Sequence, residues 1–245
     1  MDGFDFNNYD TEGSLYEGIA LKHGGCIEYS LDLIDEIWID RPPLSEKPAF
    51  ELDVKYAGKT VADKLSDIRE KMAAAEADMH VVTTIDDICW TLNIRGDDID
   101  FFPLILSYAL MDDKAYHLYI DERKLSDEIK AHLTADGVVL HPYNDIYEDI
   151  KHIPADAKLM LDASKVNYAM FCNIPDSVKK IDVMNPEMIF KNVKNPVELE
   201  NIRKAQIKDS IAHLRFMKWL KENVGKIEMT EISVSDKLDE FRKEM

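Results

Sequence analysis

Three pairs of adjacent aspartates in this sequence have side chains that could bind a cation. Asp86-Asp87, Asp97-Asp98 and Asp112-Asp113 offer the oxygen ligands that hard cations prefer. None of the pairs follows the alternating Asp-x-Asp-x-Asp-Gly pattern of a calcium loop. A structural role is therefore favoured for each pair: the first at the N-terminal turn of a helix, the second in a loop and the third at a hairpin tip.

Histidine is the other common metal ligand and proton carrier, and seven histidines are scattered along the chain. They are His23, His80, His117, His132, His141, His152 and His213. The closest pair in sequence, His132 and His141, lacks the HxxxH spacing of a helical metal site. Structural or surface roles are predicted for these residues. The sequence also shows no Ser/His/Asp constellation, CxxC pair, phosphate loop or dinucleotide fingerprint.

The segment Asn93-Ile94-Arg95-Gly96 places one charged residue in an otherwise apolar passage. A charge in such a place must be paired or reach solvent. One explanation, which we favour, is an internal salt bridge from Arg95 to Asp97 or Asp98 that fixes a loop. The alternative is that Asn93, Arg95 and Gly96 form a loop facing a substrate cleft. Gly96 predicts a tight turn with positive φ.

Alternating strands and helices are predicted to position these residues. Apolar periodicity predicts helices over 60–77, 125–133, 143–153 and 164–172, and strands over 80–84, 103–110, 115–120, 137–141, 158–162 and 178–183. This pattern, which includes one hairpin, predicts an α/β fold with a mixed sheet. Two amphipathic helices, 195–224 and 230–241, follow. Residues 1–25 are predicted to be either poorly ordered or a remnant of something larger. Residues 29–38 are predicted to contain a short helix, and 44–55 to be an extended linker.

The composition excludes several classes of partner. The 245 residues carry a formal net charge of −18, which repels phosphate backbones and anionic lipid, so no nucleic acid or membrane partner is expected. The three cysteines have no paired spacing, which excludes a disulfide framework. The N-terminus has no signal-peptide pattern, and no run approaches the ~18 apolar residues of a membrane span. A cytoplasmic location is predicted.

Four segments together resemble one family. They are Leu33 to Pro43 (LIDEIWIDRPP), Tyr56 to Arg69 (YAGKTVADKLSDIR), Asp86 to Leu110, and Lys191 to Glu200 (KNVKNPVELE) followed by Arg203, Asp209 and Trp219. Their order and content are similar to the Xaa-Pro aminopeptidases (aminopeptidase P, of the creatinase or pita-bread type). The resemblance implies a three-layer creatinase N-terminal-like α/β domain over 57–190. It also implies that 1–56 is a remnant and linker from a first N-terminal domain. Residues 191–245 would be the first helices of a truncated pita-bread catalytic domain.

The resemblance implies hydrolysis of a peptide bond that precedes proline, with two divalent metal ions, often manganese, held by two Asp, one His and two Glu. Such a pair polarises the scissile carbonyl and lowers the pKa of a bridging water. In the family those ligands come after the first two catalytic-domain helices, so no residue here is matched to a metal ligand and no catalytic residue is assigned.

The expected function is therefore the non-catalytic portion of a metal-dependent Xaa-Pro aminopeptidase that acts on peptides with proline at the second position. The alternatives are a stand-alone peptide-binding or partner-docking module, and a degenerate truncated product. A homodimer or a separately encoded catalytic half would then be the partner.

Overall fold

A six-stranded mixed sheet forms the centre of the α/β part of the chain. The computed structural model describes residues 13–29, 31 and 33–245. The strands in these residues are β1 (Phe50–Glu51), β2 (Met79–Val82), β3 (Ile94–Arg95), β4 (Ser107–Met111), β5 (Tyr116–Ile120), β6 (Val138–His141), β7 (Lys158–Leu161) and β8 (Lys179–Asp182). The sheet order is β6-β5-β4-β2-β7-β8. Strand β4 is antiparallel to both neighbours and the other pairs are parallel, which confirms the predicted mixed sheet.

Helices cover both faces of this sheet. In the described residues the α-helices are α1 (Ser14–Lys22), α2 (Leu33–Ile37), α3 (Val54–Ala57), α4 (Val61–Ala74), α5 (Ile85–Thr91), α6 (Asp127–Ala135), α7 (Ile146–Asp149), α8 (Tyr168–Asn173), α9 (Pro186–Asn192), α10 (Pro196–Asn223) and α11 (Glu231–Lys243). Apolar residues of α4, α5 and α6 form one core with the sheet, and those of α7 and α8 form another. The predicted three-layer α/β architecture is therefore confirmed.

Local signals account for the elements nearest the candidate loop. Helix α4 begins at its predicted position, where the Thr60 hydroxyl accepts the Asp63 amide at 3.1 Å. The helix ends earlier than predicted, because Glu76 has a φ of +54° and cannot continue it. The predicted β4–β5 hairpin is also confirmed: Asp112 Oδ1 accepts the backbone amides of Lys114 and Ala115 at 2.8 and 2.7 Å.

The prediction of poor order over 1–25 is wrong for part of that range. Residues 1–12 lie outside the described residues, but α1 spans Ser14–Lys22. Glu17 on this helix accepts a hydrogen bond from the Tyr168 hydroxyl at 3.1 Å. Gly13 lies so close to the same ring that an added Cβ would be 2.5 Å from its Cδ2. Tertiary contact with Tyr168 therefore orders a segment whose local pattern is weak.

The predicted extended linker over 44–55 is also wrong in part. Strand β1 pairs antiparallel with β3, opposing Phe50 to Arg95 and Glu51 to Ile94. The amide of Ala49 donates to the Lys124 carbonyl at 2.8 Å. Helix α3 then begins at Val54. The local sequence could not reveal this, because all of these hydrogen bonds have partners far along the chain.

Contacts divide the chain into two compact units. One contains the described residues up to Val54 together with Lys59–Val193, and the other contains Lys55–Gly58 and Lys194–Met245. In the second unit, Asn195 Oδ1 accepts the Val197 and Glu198 amides while Glu198 accepts the Asn195 amide. These bonds form a complete capping box at the start of the helix predicted over 195–224. The division into 1–56, 57–190 and 191–245 stays a prediction.

Candidate functional site

The residues of the Asn93–Gly96 segment follow α5 and are held by a buried lysine of α4. Lys64 is 1% exposed, and its Nζ donates to the Trp90 carbonyl and to Asn93 Oδ1, each at 2.6 Å. The ammonium also lies 4.2 Å from the centroid of the Trp90 ring. These contacts provide the pairing that a buried charge requires. They fix the end of α5 against α4.

The left-handed residue of this segment is Asn93, with a φ of +52°, so the prediction of positive φ at Gly96 is wrong. Asparagine tolerates this conformation, and its Nδ2 also donates to the Lys59 carbonyl at 2.9 Å. Glycine at position 96 is explained by close packing and not by a positive φ. An added Cβ there would lie 3.3 Å from the Cβ of Ile105, so the backbone passes close to a core side chain.

Arg95 lies in β3 and binds main-chain oxygens. Its Nη1 donates to the Cys89 carbonyl at 2.7 Å and to the Ile94 carbonyl at 2.8 Å, so it satisfies a carbonyl near the C-terminus of α5. Asp98, which the sequence proposed as a partner for Arg95, binds Lys124 Nζ at 2.6 Å. The side chains of Lys124 and Asp98 are 2% and 0% exposed, so the Asp97-Asp98 pair contains a buried structural charge that the sequence did not reveal.

A cavity of about 500 Å³ borders this segment. Asn93 lines it, whereas Arg95 and Gly96 are not among its lining residues. The other lining residues are Glu51, Leu52, Asp53, Val54, Thr60, Val61, Leu92, His132, Leu133 and Asp136. His132 Nδ1 lies 2.9 Å from Glu51 Oε1, and that carboxylate raises the pKa of the histidine. The structure thus brings one of the three predicted loop residues to a cavity lined by both polar and apolar side chains.

Helix α9, which the sequence pattern did not predict, brings a second group of charged side chains, some of them buried, to α5 and β2. His80 Nε2 lies 3.1 Å from Glu187 Oε2, and both side chains are fully buried. Lys191 Nζ lies 2.6 Å from Asp87 Oδ1 and also contacts Asp86. Asp86 and Asp87 occupy the first turn of α5, as predicted, and their charge is balanced by α9.

The electrostatics of this cluster follow from burial and pairing. Burial alone would lower the pKa of His80, but the Glu187 carboxylate, the hydrogen bond to the Met160 carbonyl and the charge of Asp87 together outweigh that effect and raise it. Burial raises the pKa of Asp87, and hydrogen bonds from Lys191 and Thr84 oppose this rise.

Helix α9 did have a sequence signal, since Asn185-Pro186 repeats the N-cap and N1-proline pattern of Asn195-Pro196.

The described residues do not match the dinuclear metal centre that the family resemblance implies. No group of three or more His, Cys, Asp or Glu side chains among them is arranged to hold a metal ion. A centre with five protein ligands therefore has no counterpart in this part of the chain.

No helix of the described residues has the length and apolar character required to cross a bilayer.

Comparison with known proteins gives the family. The profile of the Creatinase/Prolidase N-terminal domain matches residues 40–198. The chain belongs to this family. Among curated members, it is 33% identical over 242 residues to a probable Xaa-Pro aminopeptidase P of Neurospora crassa, covering 93% of this chain and 35% of that protein. It is also 33% identical over 251 residues to the Xaa-Pro aminopeptidase app-1 of Caenorhabditis elegans, covering 98% of this chain and 40% of that protein.

A solved family structure shares the fold over nearly the whole chain. The crystal structure of an X-prolyl aminopeptidase from Caenorhabditis elegans, described as a cytosolic enzyme with a di-nuclear active site, superposes with a TM-score of 0.90 at 31% identity. The match covers 98% of this chain and 40% of that chain. The present chain thus spans less than half the length of these relatives.

Proposed function

We propose that this chain is the non-catalytic portion of a metal-dependent Xaa-Pro aminopeptidase. In this proposal 1–56 is the remnant and linker of a first domain, 57–190 is the creatinase-type domain and 191–245 begins the catalytic domain. The observation that carries the proposal is the superposition on the Caenorhabditis elegans enzyme, which covers 98% of this chain but 40% of the enzyme. The two metal ions, manganese by family resemblance, would be held by the remainder of such an enzyme.

The α/β domain would act as a scaffold, with Asn93, Arg95 and Gly96 on a wall that faces the substrate. Support for this role comes from the buried contacts of Lys64 and Asp98, which hold the segment in one conformation. A rigid wall is useful in a peptide-binding site because no conformational entropy is lost in ordering the wall when the substrate binds. The substrate class is a peptide with proline at the second position.

A cytoplasmic location is supported by the description of the Caenorhabditis elegans relative as cytosolic.

A segment exchange tests this proposal. The aligned segment of the Caenorhabditis elegans enzyme is replaced by this chain, and hydrolysis of an Xaa-Pro peptide is measured with added Mn²⁺. We expect the exchanged enzyme to cleave the peptide and this chain alone to leave it intact. A folded, monodisperse exchange protein without activity would refute the scaffold role. Cleavage by this chain alone would refute its non-catalytic character.

A second candidate function is a partner-docking module, either as a homodimer or with a separately encoded catalytic half. Apolar side chains of α10 and α11 favour it, since Ile207, Leu214 and Ile232 are 62%, 70% and 74% exposed. The mass of the endogenous polypeptide distinguishes the two candidate functions, the portion of a longer enzyme and the partner-docking module. An immunoblot band far heavier than 28.2 kDa supports a portion of a longer enzyme, and a band at 28.2 kDa supports the docking module.

A further inference from the structure

The parallel strands β5 and β6 lie side by side at one edge of the central sheet, and the chain leaves their C-terminal ends toward opposite faces. After β5 it enters α6, whose Ile129 and Leu133 pack in the core formed with α4 and α5. After β6 it enters α7, whose Ile146 and Ile150 pack in the core formed with α8. Loops that diverge in this way leave a crevice outside the C-terminal ends of the strands, which is where open α/β sheets bind their ligands.

A cavity of about 500 Å³ occupies this crevice. Its walls are the end of β5 and the turn that follows (120–124), the turn after β6 (142–145), the segment 43–46 and Leu106. All of these residues belong to one compact unit of the chain. Small-molecule sites in proteins have volumes of about 300–1,000 Å³ and are found at such positions in α/β sheets. Position and size together therefore indicate a small-molecule site.

Part of the lining is apolar and aromatic. Leu44, Leu106 and Ile120 contribute aliphatic side chains. Tyr143 contributes an aromatic ring, which stacks on the ring of Tyr108 with the centroids 5.1 Å apart. This stacking holds the Tyr143 ring in a fixed orientation. The cavity can thus accept a ligand with an apolar or aromatic body.

The two cationic side chains of the lining are already engaged by carboxylates. Arg123 donates from Nε and Nη2 to Asp121 at 3.0 and 2.7 Å, and its Nη1 lies 2.6 Å from Glu46 Oε1. Lys124 Nζ is bound to Asp98, which does not line the cavity. An anionic ligand would therefore have to break one of these ion pairs to find a positive charge.

Negative charge exceeds positive charge in the lining. Four carboxylates line the cavity, those of Glu46, Asp121, Glu122 and Asp145. Two of the four charges are balanced, one by Arg123 and one by Lys130, whose Nζ lies 3.3 Å from Glu122 Oε2. Asp145 is exposed and forms no ion pair in the part of the chain that the structure describes. The lining thus retains about two uncompensated negative charges, which favour a cation.

We propose that this cavity binds a small organic cation, with its ammonium beside Asp145 and an apolar, preferably aromatic, body against Leu106 and Ile120. The Asp145 carboxylate would accept a charge-assisted hydrogen bond from the ammonium. Tyr143 lies in the same turn as Asp145, so its ring can add a cation–π contact. The site is separate from the Asn93–Gly96 segment and does not depend on the proposed aminopeptidase function.

Calorimetric titration of the full chain with tryptamine and with tryptophol tests the proposal. The two probes share an indole body and differ in a terminal ammonium or hydroxyl group, so their comparison isolates the charge. We expect tryptamine to bind saturably at one site per chain and tryptophol to bind about tenfold more weakly. In amide NMR spectra, tryptamine should shift resonances of residues 120–124 and 142–145.

A pair of matched variants locates the ammonium. Asp145→Asn should weaken tryptamine binding by about 3–10-fold, because it removes an exposed carboxylate from the site. Asp156→Asn is the control, since this exposed carboxylate precedes β7 and lies at the opposite end of the sheet, and it should leave the affinity unchanged. The amide spectrum reports that each variant is folded. Absence of saturable tryptamine binding, equal affinity for tryptophol, or unchanged affinity in folded Asp145→Asn overturns the proposal.

Discussion

Loss of either partner of the Asp98–Lys124 pair should destabilise the α/β unit more than loss of a surface ion pair would. The two charged atoms are 2.6 Å apart, and the side chains are 0% and 2% exposed. Asp98 Oδ2 also accepts the Leu106 amide at 2.7 Å, while its Oδ1 has no hydrogen-bond partner in the described residues. Removing Lys124 therefore leaves a buried carboxylate with a single donor.

The expected magnitudes follow from this burial. Lys124→Met leaves an uncompensated carboxylate, and Asp98→Asn leaves an uncompensated ammonium, so each should lower the free energy of unfolding by about 3 kcal/mol. The double variant removes both charges, and the side-chain amide introduced at position 98 retains a carbonyl that can accept the Leu106 amide. We therefore expect its loss to be about 3 kcal/mol rather than about 6 kcal/mol, a coupling energy of about 3 kcal/mol.

Urea unfolding measured by tryptophan fluorescence gives these numbers. With Trp38 and Trp219 replaced by phenylalanine, the remaining signal comes from Trp90 inside the α/β unit. Each single variant should also lower Tm by about 6–12 °C. Additive losses in the double variant would refute the buried ion pair, as would a loss below about 1 kcal/mol in either single variant.

Three further outcomes can be measured on the same chain. The Glu187 carboxylate, with the Met160 carbonyl and Asp87, raises the pKa of His80 against the effect of burial. The His80–Glu187 pair therefore stabilises fully below the unfolded pKa of about 6.5 and loses its effect as the pH rises through the higher folded value. The unfolding free energy should thus fall more between about pH 6 and 9 in the unsubstituted chain than in Glu187→Gln, and parallel curves would contradict this. Burial raises the pKa of Cys89 to about 11, so iodoacetamide should label exposed Cys26 and leave Cys89 unmodified until urea is added, as read by mass spectrometry. Asn93 has a φ of +52°, so Asn93→Ala should be less stable than Asn93→Gly by about 1–2 kcal/mol in urea unfolding, whereas equal stabilities would show that the backbone conformation carries no cost.

Features that depend on near neighbours in the chain were predictable. Thr60, Asn195 and Thr230 each cap the helix that follows, because a cap is a contact within about four residues. The β4–β5 hairpin was predictable for the same reason, since Asp112 binds amides two and three residues away. Apolar periodicity predicted the six strands of the central sheet, and the family resemblance added the three-layer arrangement.

Features that depend on distant partners were not predictable from one sequence. Lys64 looks like a solvated residue of an amphipathic helix, yet its partners lie 26 and 29 residues further along the chain. His80 and Glu187 are separated by 107 residues. For the candidate loop, Gly96 was the obvious residue for positive φ, but a close approach to the core explains it. A glycine alone does not distinguish these two requirements.

Three lysines from neighbouring elements, of which Lys64 and Lys124 are buried, limit how far the segment from α5 to Asp98 can move. Lys64 comes from α4, Lys191 from α9 and Lys124 from the turn before α6, and each pairs with a group of this segment. Opening the segment would break the buried Asp98–Lys124 ion pair, the hydrogen bonds of Lys64 to Trp90 and Asn93, and the contacts of Lys191 with Asp86 and Asp87. A mobile lid is drawn from the low-stability parts of a fold, and this segment is not one of them. If it contributes to a substrate cleft in a longer enzyme, it contributes as a fixed wall, so its substitution should alter substrate affinity and stability together.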